Sequence, residues 1–461
     1  MKRGFWPLAA VLLFGFAASL VANWPGHFPP DAVWQLAQGR SGLYNLWHPP
    51  VMAWMLGVAD RIWPGAPLFM VFDTALFFGA LGAFAALRGR PGAIGLILLA
   101  IMAVSPLVLI YQGLVLKDVL FADASTAGFA ALAWAGRLWD RPWARWSLVG
   151  AGLVLFTLAA LTRQNGAIVA IAGALGLGAM AWLKSAGRKA ALGALAALGA
   201  LALIGAADAV VSEALAARSD HRPATAQQLT ALRLYDLAGA VRRDPAFVLS
   251  ELEAKDPAMA RYIRAEAAPA WDATRIDTLV RTPDWDRFMR ATGPASGDEW
   301  RGLVVHHPEL YLAVRAEVFK WVFMTPRLNK CAPIIVGVDS QDPDLLEEAG
   351  LAERYTDKDD WDTTYSQAFE NTPLYSHAFF AALAAALLML ACWDLAQGGG
   401  VERVAVIAML ASALAFAASF FMVSLACDYR YLYFLDVAAM AALAHRSAPW
   451  GFKTLSGTRR S

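Results

Sequence analysis

Asp31, His48, the adjacent Lys117 and Asp118, Arg163, Asn165, Arg430 and Tyr431 stand in five short stretches, from four loops, that interrupt a very apolar chain. Asp31 lies in NWPGHFPPDAVWQ, and His48 opens HPPVMAW. Lys117 and Asp118 lie in LVLKDVLFA, Arg163 and Asn165 in TRQNG, and Arg430 and Tyr431 in DYRYLYFL. A carboxylate within hydrogen-bond reach of a hydroxyl can act as general base. Lysine and arginine hold phosphate through charge-assisted hydrogen bonds, arginine in a bidentate fork. Two carboxylates, a lysine and two arginines on one face therefore suit a reaction on an anionic lipid headgroup. Cations beside a departing phosphate supply much of the rate of such a reaction.

Each residue also has a purely structural reading. Asp31 can cap the helix that AVWQLAQ predicts, and His48 can be a turn residue before two prolines. Lys117 and Asp118 can form a local pair at a helix start, where acidic residues are favoured. Arg163 can snorkel to headgroups, and Arg430 can do the same or pair with Asp428. Asp73 and Asp123 read as polar contacts inside a bundle. The functional reading rests on joint placement, because ionisable groups at the membrane are costly and usually paired or functional.

Placement depends on the membrane spans. With 58% hydrophobic and 17% charged residues the chain is far from the ~25% charge of soluble domains, so it reads as all-α and polytopic. Its mean hydropathy of +0.45 says the same. A net charge of +1 gives no global basic signal, so no nucleic-acid partner is expected. A crossing helix needs ~20 mostly apolar residues. Ten stretches qualify: 5–23, 66–87, 93–112, 119–138, 146–162, 166–183, 190–210, 374–395, 403–426 and 430–445. The basic, apolar start resembles a signal peptide, but Trp24-Pro25 stands where small residues would mark cleavage, so 5–23 reads as a retained first span. Val51 to Trp63 is too short to cross and contains Asp60 and Arg61, so it reads as an interfacial helix in the first outer loop.

That short stretch decides the sidedness. If it does not cross, Lys2-Arg3, Arg88, Arg90, Arg137, Arg141, Arg145, Lys184, Arg188, Lys189, Arg403, Arg446, Lys453, Arg459 and Arg460 all fall on the cytoplasmic side. This is the distribution that topology favours. Residues 24–65, 112–118, 162–165, 211–372 and 427–430 then share the outer face, and an inner-membrane location with a periplasm-facing site follows. The chain divides into an N-terminal membrane module (1–210), a charged, Pro-punctuated and mostly helical extracytoplasmic insertion (211–372) and C-terminal membrane helices with a basic tail (373–461). Within the insertion, APIIVGVDS (332–340) reads as a strand. Cys331, Cys392 and Cys427 show no paired spacing, so neither a zinc site nor a disulfide framework is expected.

The layout resembles the GT-C superfamily of integral membrane glycosyltransferases, which use polyprenyl-phosphate-linked sugars and include protein mannosyltransferases and lipid A aminoarabinose transferases. The resemblance is carried by Asp31 in the first outer loop, HPPVMAW (48–54) leading into an interfacial helix, Asp118 in the second outer loop, and TRQNG (162–166). It covers residues 1–166 best. DYRYLYFL (428–435) is similar to the charged outer-end motif of several bacterial members. The resemblance implies a GT-C-like fold, with Asp31 activating the acceptor and Asp118 orienting substrate or a divalent metal. It makes His48, Lys117, Arg163, Asn165, Arg430 and Tyr431 substrate or lipid-phosphate contacts. The implied reaction displaces polyprenyl phosphate from the anomeric carbon, usually with inversion. The partners it implies are a polyprenyl-phosphate sugar, membrane lipids, and an envelope glycan, lipid or protein acceptor. The sequence requires no cofactor, and a metal would use Asp31 and Asp118. Two departures stand out: a single Asp replaces an acidic pair in the first loop, and 211–372 matches no known acceptor-binding domain.

Other readings fit the same residues. An O-antigen ligase, polymerase or acyltransferase would also use phosphate-binding arginines. A transporter or flippase places its charged sites near the midplane between repeated halves, whereas these lie at helix ends and no repeat is visible. A non-catalytic scaffold would use 211–372 as a binding domain.

Overall fold

The computed structural model describes residues 6–187, 189–219, 224–290, 294–340 and 343–447. Lys2, Arg3, Arg188, Lys453, Arg459 and Arg460 lie outside the described residues. Among the described residues, eight helices are long and apolar enough to cross a membrane: Trp6–Asn23, Pro67–Leu87, Lys117–Arg137, Pro142–Thr162, Ala167–Lys184, Ala190–Ala216, His377–Ala396 and Arg403–Val423. The chain is thus a multi-pass helical membrane protein. Lys117–Arg137 is buried along almost its whole length and packs against Pro67–Leu87, Pro142–Thr162, Arg403–Val423 and Tyr433–Arg446.

Two expected spans look different. The stretch 93–112 is broken into Ala93–Val104 and Pro106–Leu109 with a 3-10 turn Tyr111–Gly113, bent by 60°. Pro106 is the cause. Its ring disfavours the helical region at the preceding residue, and Ser105 is extended with ψ 147°. The last expected span is a 14-residue helix, Tyr433–Arg446, buried in the bundle. The helix itself is about 21 Å long at 1.5 Å per residue, and with the Tyr429–Leu432 turn before it the segment runs from Arg430, beside Asp31, to Arg446, beside Asp394 at the other end of the bundle. Among the described residues, eight helices, or nine counting the bent pair as one span, pass on length and apolarity beside the ten expected stretches.

The first loop contains two helices, Pro30–Ser41 and Val51–Ile62. The second has 12 residues, with Val51, Met52, Ala53, Leu56, Gly57 and Ala59 turned inward and Trp54, Val58 and Ile62 exposed. It is two-faced and too short to cross, as its length led one to expect. It lies against Pro30–Ser41 at Gly39 and Gly57, where a Cβ on either glycine would strike the other's backbone.

The insertion is helical and has a core of its own, in which Tyr235, Leu237, Tyr262, Ile263, Leu303 and Tyr311 are buried. Deep inside it Arg315 is in contact with Asp236, which also accepts from Trp300 Nε1 at 2.8 Å. Arg315 Nη1 donates to the Ser424 carbonyl at 2.9 Å, tying the insertion to the end of the Arg403–Val423 helix. Residues 332–340 do not form the expected strand. Among the described residues there are only isolated bridges, including Val338 with Phe28 and with Arg354. Pro333 lacks a donor, and Gly337 turns the chain with φ +82°. Cys331 and Cys427 form a disulfide between the insertion and the turn before Arg430, a pairing that the cysteine spacing did not indicate. Their 96-residue separation hides the pairing from any local spacing rule.

The two ends of the bundle carry different charge. At one end Asp394 accepts from Arg446 at 3.1 Å and has Arg88 and Arg403 each 3.7 Å away. At the other end lie the insertion, the disulfide and the polar stretches singled out from the sequence.

Candidate active site

Asp31 is the second residue of the Pro30–Ser41 helix, whose N-terminal dipole favours an acid in the first turn. Pro30 starts that helix with its φ preset and no donor to lose. His48 comes from the link between the two loop helices. Lys117 and Asp118 open the Lys117–Arg137 helix, and Arg163 follows the end of Pro142–Thr162. Arg430 lies in the 3-10 turn Tyr429–Leu432, three residues after the disulfide.

These residues meet. Arg430 Nη2 is 2.9 Å from Asp31 Oδ2, Lys117 Nζ is 3.5 Å from the same oxygen, and His48 Nε2 is 3.8 Å from Asp31 Oδ1. Lys117 Nζ donates to His48 Nδ1 at 2.8 Å. An ammonium only donates, so Nδ1 is the acceptor and the ring proton sits on Nε2, facing Asp31. Asp118 is buried in contact with Arg163, and Arg430 Nε is 3.8 Å away. Asp428 also accepts from Arg430, at 3.0 Å.

Aromatic rings hold the arginines in place. The Arg163 guanidinium lies over Phe416, Phe420 and Tyr431 at 5.5, 5.3 and 5.6 Å. Tyr431 also backs Arg430 at 5.6 Å, so it serves as a platform for both cations. Asn165 stands apart: its Nδ2 donates to Ser419 Oγ at 3.1 Å and anchors the turn to the Arg403–Val423 helix. The neighbouring Gln164 reaches the Trp47 carbonyl at 3.4 Å, locking that turn against the residue before His48.

Charge balance limits what the cluster can hold. Burial alone would raise the Asp31 carboxyl, but Arg430, then Lys117 and His48, hold it well below the ordinary carboxylate range. Burial, then Lys117, lowers His48 to about 3, so its imidazole is neutral at physiological pH. Asp31, Asp118 and Asp428 are matched by Lys117, Arg163 and Arg430. A divalent ion at Asp31 and Asp118, the pair that a metal would use, would have to displace those cations, so the pair is poorly suited to one. What the cluster does leave open are donors. Arg163 Nε and Arg430 Nη1 are buried without a hydrogen-bond partner. Buried guanidinium donors left unspent suit an anionic oxygen ligand.

No family model matches this chain, and no curated protein matches it. Among solved structures it is similar to the oligosaccharyltransferase AglB of the archaeon Archaeoglobus fulgidus in complex with an inhibitory peptide and a dolichol-phosphate. That match has 14% identity and a TM-score of 0.41, over 95% of this chain and 50% of that one. A second is the oligosaccharyltransferase of the same organism tethered through a disulfide to an acceptor peptide containing the NVT sequon. It has 13% identity and a TM-score of 0.43, over 96% of this chain and 49% of that one. This chain spans about half the length of these solved structures.

Sequence reasoning missed one further cluster near the candidate site. His27, four residues before Asp31, lies beside Asp359 and Asp362 of the Asp357–Gln367 helix, all three buried. The spacing of the two acids on one helical face was the available signal. Nothing in the sequence pointed to their meeting His27.

Proposed function

We propose that this protein is a GT-C-type membrane glycosyltransferase that moves a sugar from a polyprenyl-phosphate donor to an acceptor hydroxyl. The observation that carries the reading is the ionised Asp31 carboxylate held by Arg430 and Lys117, with unspent donors of Arg163 and Arg430 close by. The donor phosphate takes those free donors and the Lys117 ammonium. In doing so it draws the cations off Asp31, whose basicity rises once the donor is in place. Asp31 then accepts the proton of the acceptor hydroxyl. The acceptor oxygen bonds to the anomeric carbon as the sugar–phosphate C–O bond breaks. The bonding pair leaves on the phosphate, where the arginines stabilise it. Attack opposite the leaving group inverts the anomeric centre. Asp118 keeps Arg163 ionised and oriented rather than touching the acceptor, and neutral His48 positions Lys117.

Two observations support placing this face outside the cytoplasm. The Cys331–Cys427 disulfide belongs to an oxidising compartment. The basic cluster of Arg88, Arg403 and Arg446 lies at the opposite end, as cytoplasmic ends favour. The insertion, roughly residues 211–372, is tied to the site by the Cys331–Cys427 disulfide and by Gln228 at the Trp47 carbonyl, and would present an envelope glycan, lipid or protein acceptor. The test is sugar transfer in membranes containing the full chain, using a panel of polyprenyl-phosphate sugars. Transfer by wild type that is lost in Asp31→Asn supports the reading. An inserted Asp31→Asn protein that transfers sugar at the wild-type rate overturns it.

A further inference from the structure

We propose that His27, Asp359 and Asp362 form a divalent-metal site, separate from Asp31 and Asp118, that fastens the insertion to the loop carrying Asp31.

The argument starts from hydrogen-bond accounting around His27. Asn23 Nδ2 donates to the carbonyls of Ser19 and Leu109, each at 2.6 Å, which turns its Oδ1 toward the ring. His27 Nε2 lies 3.0 Å from that oxygen and must carry the ring proton. The Gly337 amide donates to Nδ1 at 2.9 Å, so Nδ1 presents a lone pair. The histidine is thereby fixed as the neutral tautomer that binds metals, with its other N–H donated to an oxygen as metal-ligating histidines usually have it.

Two carboxylates face this ring. Asp359 Oδ1 is 3.2 Å from Nδ1, lone pair toward lone pair. The other Asp359 oxygen is spent on the Thr356 amide and hydroxyl, both at 2.7 Å, which aims Oδ1 at the ring. Asp362 is 0% exposed, and neither of its oxygens has a hydrogen-bond partner. Its nearest contact is His27 Nε2 at 3.6 Å, beyond hydrogen-bonding range. One ligand atom from each of the three residues falls within 4.8 Å of the others. Three electron-rich groups thus converge in a buried place with almost no donor between them. An unpaired buried carboxylate is among the costliest groups a fold can hold.

A divalent cation resolves all three at once. One imidazole nitrogen with two carboxylate oxygens suits Zn²⁺ or Mn²⁺ better than a thiophilic ion. To bind, the ion takes the Nδ1 lone pair from the Gly337 amide, which shifts residues 333–340 slightly. The consequence is mechanical. His27 is backbone-bonded to Gly113 and Val115, and Phe28 to Gly337 and Asp339, so the site sits where three segments of the outer face cross. The ion would hold the strap leading to Asp31 whatever reaction Asp31 serves.

The test uses purified full-length protein stripped with a chelator, then dialysed against Zn²⁺ or Mn²⁺ and analysed for bound metal, with thermal unfolding followed in parallel. Wild type is expected to retain about one equivalent per chain and to melt earlier after stripping, since metal binding is linked to folding. Asp362→Asn is nearly isosteric and removes the unpaired charge. It is expected to lose the bound metal, and its melting temperature should no longer respond to chelator. Without a metal site the same change relieves a buried charge, so Asp362→Asn would melt higher than wild type. Wild type binding neither ion, or Asp362→Asn retaining a full equivalent, overturns the proposal. If Asp362→Asn does not fold, His27→Gln gives the same readings, since the amide keeps the size of the ring and lacks the ligating nitrogen.

Discussion

Arg430 Nη2 lies 2.9 Å from Asp31 Oδ2, joining the loop after the first membrane helix to the turn before the last helix. The guanidinium suppresses the basicity of Asp31 at rest and, in the proposed mechanism, is pulled away by the donor phosphate. Arg430→Gln is therefore expected to have two opposed effects. Asp31 becomes a better base, yet the departing phosphate loses a charge-assisted partner, and the second effect is larger. Loss of one such donor typically costs on the order of 10²–10³ in kcat. Transfer kinetics with varied donor should show a lower kcat and a raised donor KM. A variant with unchanged kcat and KM would remove Arg430 from the mechanism.

Arg163 and Asp118 are a structural pair as much as a functional one. Asp118 is 1% exposed, so Arg163→Met strands a buried carboxylate. Breaking a buried pair costs about 3–5 kcal/mol, visible as a large drop in melting temperature. Adding Asp118→Asn to Arg163→Met should recover most of the stability, because neither charge is then left alone. It should not recover transfer, because the phosphate contact of Arg163 is still missing. Recovery of both would assign Arg163 a purely structural role.

The pH dependence follows from Asp31 and His48. His48 is lowered from 6.5 to about 3, so between those values the unfolded chain binds a proton that the folded chain refuses. Folding stability therefore falls as pH drops from about 6.5 towards 3. Asp31 acts in the same direction lower down, because its depressed folded value makes its stabilisation fade as pH falls through the acid range. His48→Gln should flatten the upper part of this decline in a melting-temperature series. In the transfer assay, no imidazole limb is expected near pH 6.5. A rate limb there that His48→Gln abolishes would contradict the neutral ring.

Much of the fold was legible because apolar length is a strong signal, and the helices near 67–87, 142–162 and 403–423 fall close to where hydropathy puts them. The interfacial Val51–Ile62 helix was readable for the same reason, being two-faced and too short to cross. Proline at 106 bends one expected span, and the last is a buried 14-residue helix, Tyr433–Arg446, entered through a 3-10 turn. Within the candidate site, Asp31, His48, Lys117, Asp118, Arg163 and Arg430 were visible as charges at helix ends. Asn165 was not separable from them by sequence, since its packing against Ser419 depends on a distant helix. The disulfide and the His27 cluster were hidden for one physical reason: each joins residues that only the docking of the insertion brings together.

The disulfide gives the most direct test of sidedness. Cys331 and Cys427 close a loop with a sequence separation of 96, and removing a crosslink over ~100 residues costs up to about 4.7 kcal/mol in the chain-entropy view. Cys427 immediately precedes Asp428, which holds Arg430, so the bond also fixes the turn carrying that arginine. Cys331→Ser with Cys427→Ser is expected to lower the melting temperature, and to lower transfer by loosening Arg430. The compartment is read separately, by alkylating intact cells with a membrane-impermeant thiol reagent before and after reduction. In wild type these two cysteines should resist labelling until a reductant is added outside, and then become reactive, whereas the free Cys392 serves as a control on the opposite half of its helix. Labelling of Cys331 and Cys427 only after the membrane is broken would turn the cluster around Asp31 towards the cytoplasm and remove the donor proposed for it, whereas labelling of intact cells without reductant would leave the face outside but refute the disulfide.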